Sequence, residues 1–189
     1  MKKYLYLTKP EWADAWINGG KIPLNLATAY KRMDRDGIYT PDEGLIYETT
    51  HDVDAIDPRY LKFGETFKNC SVSGIYVNGV LVVPHVSGSR YEDDGVILSL
   101  CNVRDDEIKK KLNKQVGVEI LDVYFLKEVI DSQLKVNSEA ESCSYTPGHI
   151  RNHFTKSEKD SWQNEFRLFW SIQGPVEVEL PPGIANMLP

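Results

Sequence analysis

The window Trp162–Trp170, Trp-Gln-Asn-Glu-Phe-Arg-Leu-Phe-Trp, constrains this chain more than any other segment of its length. Along a strand side chains alternate faces, so an extended reading puts Gln163, Glu165 and Arg167 on one face and Asn164, Phe166, Leu168 and Trp170 on the other. The large apolar side fixes the register, because a slip of one residue would drive Glu165 and Arg167 into a core. Such a strand belongs to a sheet with a packed hydrophobic side, and it presents an amide, a carboxylate and a guanidinium in a row on the opposite side.

The remaining elements are short. Lys3–Leu7 reads as a strand. Thr8-Lys9-Pro10-Glu11 has capping-box spacing, with Thr8 as N-cap and Pro10 tolerated in a first turn. Trp12, Ala13, Trp16 and Ile17 follow at helical spacing as one core-facing stripe, and Gly19-Gly20 stops the helix. Ile22, Leu24 and Leu26 then alternate with Lys21, Pro23 and Asn25, as in a half-buried strand near an edge. From Tyr30 to Asn69 the periodicity fails, and the reading is a long decorated loop with a short helix near Asp57–Leu61. Val72–Val77 and Val80–Pro84 flank Asn78-Gly79, a strong hairpin signal. Val96–Cys101 and Val116–Val123 read as strands, Asp105–Leu112 and Tyr124–Leu134 as helices, and Phe166–Ile172 with Val176–Leu180 as a closing hairpin around Gln173-Gly174-Pro175. Seven or eight strands with three or four short helices make an α+β domain, and 189 residues suit one domain over 1–189.

Composition narrows the function classes. A net charge of −6 argues against non-specific binding to a phosphate backbone, which needs a basic face. No apolar run approaches the roughly 18 residues of a membrane span, and the apolar part of Met1–Thr8 is too short for a signal peptide. Three scattered cysteines, Cys70, Cys101 and Cys143, form no disulfide framework and no CxxC pair, which points to a reducing cytoplasm. The chain has no Gly-Lys-Ser/Thr phosphate loop and no GxGxxG, so a Walker or Rossmann nucleotide site is unsupported.

Gln163-x-Glu165 at the start of a late strand resembles the Glu-x-Glu or Gln-x-Glu element of ADP-ribosyltransferases. Phe154-x-Lys156, Trp162 and Gln163-x-Glu165-x-Arg167-Leu168 together are similar to the C-terminal signature, Trp…Glu-x-Glu-x-Arg-Leu, of a broad prokaryotic group with an ADP-ribosyltransferase-like fold. Tyr4-x-Tyr6, Trp16 and Gly20-x-Ile22 resemble that group's opening strand, helix and strand, and Asp94-Gly95-Val96-Ile97-Leu98 resembles its middle strand. The chain departs from the group in carrying Gln163 in place of the first glutamate. The resemblance implies split mixed or antiparallel sheets with short flanking helices, and NAD as the substrate that donates ADP-ribose to a protein or nucleic-acid acceptor. It also implies a toxin or phage-defence setting, with an antitoxin or chaperone as possible partner. Glu165 then serves ribose binding and charge stabilisation, Gln163 acceptor orientation and Arg167 a pyrophosphate oxygen, while Tyr6, Thr8, Thr28 and Tyr30 are the candidates for the rest of the NAD pocket. The residue types suit the chemistry: cleavage of the nicotinamide–ribose bond passes through an oxocarbenium-like state that a carboxylate stabilises, and an amide orients but takes no proton. Two other functions fit the same residues, a catalytically silent protein-binding module and an NAD glycohydrolase.

Other constellations carry weaker readings. Cys143-x5-His149-x3-His153 suggests zinc but lacks a fourth ligand, and its alternatives are a surface loop or a phosphate-binding rim with Arg151 and Lys156. Asp52-x-Asp54-x-x-Asp57 lacks the Gly and terminal Glu of a calcium loop and suits turn and cap duty. Lys31, Arg32 and Arg35 could cover a dinucleotide but read first as a solvated loop, and Lys109–Lys111 as a solvated helix face.

Overall fold

The chain begins much as its punctuation dictates. The computed structural model describes residues 1–31 and 42–189; Arg32 and Arg35 lie outside the described residues. Strand β1 (Lys3–Leu7) leads through a 3-10 turn (Pro10–Trp12) into helix α1 (Ala13–Ile17), and β2 (Gly20–Leu26) follows. Gly19 and Gly20, at φ of 85° and 145°, make the reversal between α1 and β2. Two expectations fail here. Thr8 caps nothing: the N-cap of the 3-10 turn is Lys9, and Thr8 Oγ1 instead accepts a hydrogen bond from Lys114 Nζ (2.7 Å). Trp16 is buried, but Trp12 is 49% exposed, because the tighter pitch of the 3-10 turn puts the two indoles out of phase.

Next come α2 (Ala27–Lys31), β3 (Leu45–Thr49), a 3-10 turn (Val53–Ala55), β4 (Phe67–Val72), β5 (Ile75–Val77), β6 (Val80–Val83), β7 (Val86–Glu92) and β8 (Val96–Cys101). The β5–β6 hairpin turns at Asn78-Gly79 with both residues at positive φ, as a type I′ turn requires. The stretch read as a long loop contains β3 and the start of β4, each antiparallel to β7 in a three-stranded sheet, while Asp57–Leu61 is a turn and not a helix. This sheet covers a small core of its own, Tyr47, Val53, Ile56, Val83 and Val86.

The second half runs α3 (Asp106–Lys111), β9 (Val116–Ile120), α4 (Val123–Leu134), β10 (Glu139–Ser142), β11 (Ser144–Thr146), β12 (Thr155–Ser157), a 3-10 turn (Glu158–Gln163), β13 (Glu165–Trp170), β14 (Val176–Leu180) and β15 (Ala185–Met187). Asp105 and Asp122 cap α3 and α4 by accepting hydrogen bonds from first-turn amides. The main sheet runs β10-β13-β8-β1-β9-β15, with β2 also paired to β8 and β14 to β2. Nearly all pairs are antiparallel, which makes the protein α+β, and no helix among the described residues is long and apolar enough to cross a membrane. The expected closing hairpin does not form: β8 and β10 occupy the two edges of β13, so β14 crosses to β2.

The faces of the main sheet differ sharply. Phe166, Leu168 and Trp170 of β13 and Val96, Leu98 and Leu100 of β8 pack with α1, α4 and the apolar sides of β2, β9 and β14 into the principal core. The opposite side of the same strands carries Glu165 and Arg167, registered against Cys101 and Ser99 of β8.

Candidate active site

β1 and β2 share one edge of β8, opposite β13, but touch different ends of it. β1 pairs only at Tyr4 with Cys101, and β2 only at Asn25 with Ile97 and Leu26 with Val96. Among the described residues, Leu98, Ser99 and Leu100 therefore have no ladder partner on that edge. The two strands splay from it, and a cavity of about 910 Å³ opens at the fork, reaching Tyr4, Asn25, Ser99 and Glu165. That volume is in the range of small-molecule and cofactor sites.

The floor is a buried ionic cluster. Arg167 donates from Nε to Glu165 Oε1 (2.6 Å), from Nη2 to Glu43 Oε1 (2.5 Å) and more weakly to Glu165 Oε2 (3.3 Å), and from Nη1 to the His153 carbonyl (2.9 Å). Lys156, at the centre of β12, donates from Nζ to Gln163 Oε1 (2.8 Å) and Glu165 Oε2 (2.9 Å) and lies 3.3 Å from Glu43 Oε1. Glu43, Lys156, Gln163, Glu165 and Arg167 are all buried. Charges taken out of water are tolerated only when paired and hydrogen-bonded, and these two cations and two carboxylates balance.

Local structure places each group. Asn164, in the left-handed region (φ 43°), ends the 3-10 turn and starts β13 one residue later. The strand is thus shorter than expected: Gln163 belongs to the turn, and Lys156, not strand alternation, brings it beside Glu165. Tyr145 of β11 accepts the Glu165 amide N–H at its hydroxyl (2.9 Å). Parallel pairing of β11 with β12 sets Lys156 opposite Tyr145.

Burial alone would push the Glu165 pKa up; the Arg167 and Lys156 charges outweigh it and hold the carboxyl well below the usual carboxylate range. Glu165 is therefore an anion at any physiological pH and no proton donor. Burial, with the Glu165 charge second, pushes the Cys101 thiol up to about 12, and Cys143 likewise. Neither is a thiolate nucleophile near neutrality. Asp160, which accepts from Gln163 Nε2 (3.3 Å), is raised, chiefly by burial.

Five of the seven expected site residues line the cavity: Glu165, Gln163, Tyr6, Thr8 and Tyr30. The Tyr6 hydroxyl is engaged, accepting from the Asp105 amide (2.7 Å). Arg167 corrects the expectation of a pyrophosphate contact: it is 3% exposed, does not line the cavity, and is used up by Glu165, Glu43 and a carbonyl. Thr28 also lies off the cavity; its amide and hydroxyl both donate to Asp94, which pins the start of α2 to the start of β8.

The weaker constellations resolve into structural contacts. His149 meets Thr49, and His153 stacks on Phe169 (3.6 Å between ring centroids) beside Asp93, so these two do not converge with Cys143 on a metal. Among the described residues no group of three His, Cys, Asp or Glu side chains could hold a metal ion. Arg151 pairs with Asp42, and Lys31 with Glu92, so neither offers a vacant cation to a phosphate. Asp52 caps the Val53–Ala55 turn and accepts from the Tyr47 hydroxyl.

Sequence reasoning missed Glu43, which sits in the aperiodic stretch and carries no local signal. It placed Lys156 in the motif without its role, and it buried Trp12, whose exposed indole lines the cavity. No family model, no curated protein and no solved structure matches the chain.

Proposed function

We propose that the protein is an NAD-dependent ADP-ribosyltransferase acting on a protein or nucleic-acid acceptor. The observation that carries this reading is Glu165: a carboxylate kept ionised by its neighbours at the floor of a cofactor-sized cleft. Of the four ionic groups, Glu43, Glu165 and Lys156 line the cleft while Arg167 stands behind them, so at its floor two carboxylates and one ammonium face the cleft. A fixed anion there favours the ribosyl cation that develops as the nicotinamide leaves. In that step the bond from the ribose C1′ to the pyridinium nitrogen breaks and its electron pair neutralises the ring. The acceptor nucleophile then bonds to C1′ and releases its proton to solvent. Gln163, held by Lys156 and Asp160, orients the acceptor without taking the proton. The half-exposed Trp12 at the cleft, with Tyr4 and Tyr30, offers aromatic surface to a base.

One observation favours a second reading, a silent binding module: Lys156 and Arg167 already occupy both oxygens of Glu165, as in a structural ion cluster. Incubation with NAD carrying a label on its adenosine ribose separates the alternatives. The transferase predicts free nicotinamide with label on a macromolecule. Nicotinamide with free ADP-ribose means a glycohydrolase, and an unchanged NAD pool means the silent module.

A further inference from the structure

Charged residues make up 26% of the chain, yet none of the 21 residues 69–89 is a Lys, Arg, Asp or Glu, and no other charge-free run exceeds ten. At the centre of that run stands the β5–β6 hairpin. Its two strands pair with each other and, among the described residues, with no third, so each keeps an outer edge. At the tip Tyr76 sits opposite Leu81 and Val77 opposite Val80, which puts an apolar pair on each face. All four are exposed, Tyr76 at 66% and Val80 at 63%. Lower down, Val83 is buried in the smaller core and Ile75 and Val82 pack against it, so the base is anchored while the tip stands in water. The ladder's irregularity lies at the base, between Ile75 and Tyr76, and leaves the tip regular.

A two-stranded hairpin is marginal in water and gains stability from further strands. Native proteins guard an exposed edge with charged side chains, above all lysine, and this edge has none. The missing charge also says which partner fits. The chain carries a net charge of −6, so two copies repel wherever their charged surfaces meet, whereas the hairpin brings no formal charge to a contact. Antiparallel pairing of a strand with its own copy is two-fold symmetric and closes after two chains. We infer that two copies of this chain associate hairpin to hairpin, joining outer edges antiparallel into a four-stranded sheet with a row of apolar side chains on each face. One strand per copy makes a small interface, and the expected dissociation constant is on the order of 10–100 µM.

Sedimentation velocity between about 1 µM and about 500 µM brackets that constant and tests the association. With rising concentration the wild type is expected to move from 21.5 kDa towards twice that mass. Tyr76→Lys/Val80→Lys places an ammonium on each strand and each face, and at least a ten-fold loss of association is expected. Both side chains are exposed in the single chain, so the variant's melting temperature at low concentration should match the wild type's; should it melt lower, Val80→Lys alone takes its place. Tyr124→Lys/Phe125→Lys, which alters the exposed apolar pair on α4, should associate as the wild type does. A wild type that stays monomeric to about 500 µM overturns the inference, and its flotation with neutral phosphatidylcholine vesicles would then give the hairpin to a lipid surface. Association that persists in the hairpin variant, or is lost in the α4 variant, overturns it equally, because the contact then lies elsewhere.

Discussion

The two faces of β13 are equally buried but held by different physics. On one side Phe166, Leu168 and Trp170 are locked by packed area; on the other Glu165 and Arg167 are locked by pairing with Lys156 and Glu43. Area loss is graded, because each methylene removed costs about 1 kcal/mol. Pairing fails abruptly, because removing one partner strands the other in low dielectric. A charged row buried this way is informative, since hydrophobic side chains of similar volume would stabilise the fold as well or better.

The contrast is broken most directly by Arg167→Met. It deprives Glu165 and Glu43 of their shared guanidinium, and a loss of about 3–5 kcal/mol in urea unfolding is expected. Adding Glu165→Gln in the same chain is expected to restore much of that loss, because charge balance returns with Lys156 facing Glu43. Simple additivity of the two substitutions would show that the groups are not coupled. By the same coupling Glu165→Gln alone lowers the melting temperature, since it leaves two buried cations facing one carboxylate.

Acid sharpens the comparison at intermediate size. The folded pKa of Glu165 lies below the unfolded value of about 4.3, so its contribution is complete above that value and is lost as pH falls towards the folded pKa. Unfolding free energies measured from pH 6 down to pH 3 should fall more steeply for the wild type than for Glu165→Gln/Arg167→Met. Identical slopes would mean that the cluster is not ionised as described. The smallest effect belongs to the apolar face, where Leu168→Val removes one buried methylene and should cost about 1 kcal/mol at every pH.

What the sequence made legible follows from the range of the interactions involved. β1 and β8 and the Asn78-Gly79 hairpin were readable because local alternation and turn chemistry specify them. β3 and β7 were not, since their strands mix polar and apolar residues without a clean alternation. Trp12 misled because a 3-10 turn changed the helical phase. In the site, Glu165 and Gln163 stood out by spacing, but the burial of Arg167 could not be read. It depends on Glu43, 124 residues away in sequence, and on Lys156, carried in by β12.

The central claim is that the Glu165 anion at the fork of β1 and β2 drives nicotinamide release. Its most direct test is the rate of nicotinamide release from NAD by Glu165→Gln/Arg167→Met, compared with the wild type at a temperature where both are folded. The account predicts a folded double variant with release abolished. Release by that variant at the wild-type rate would contradict it.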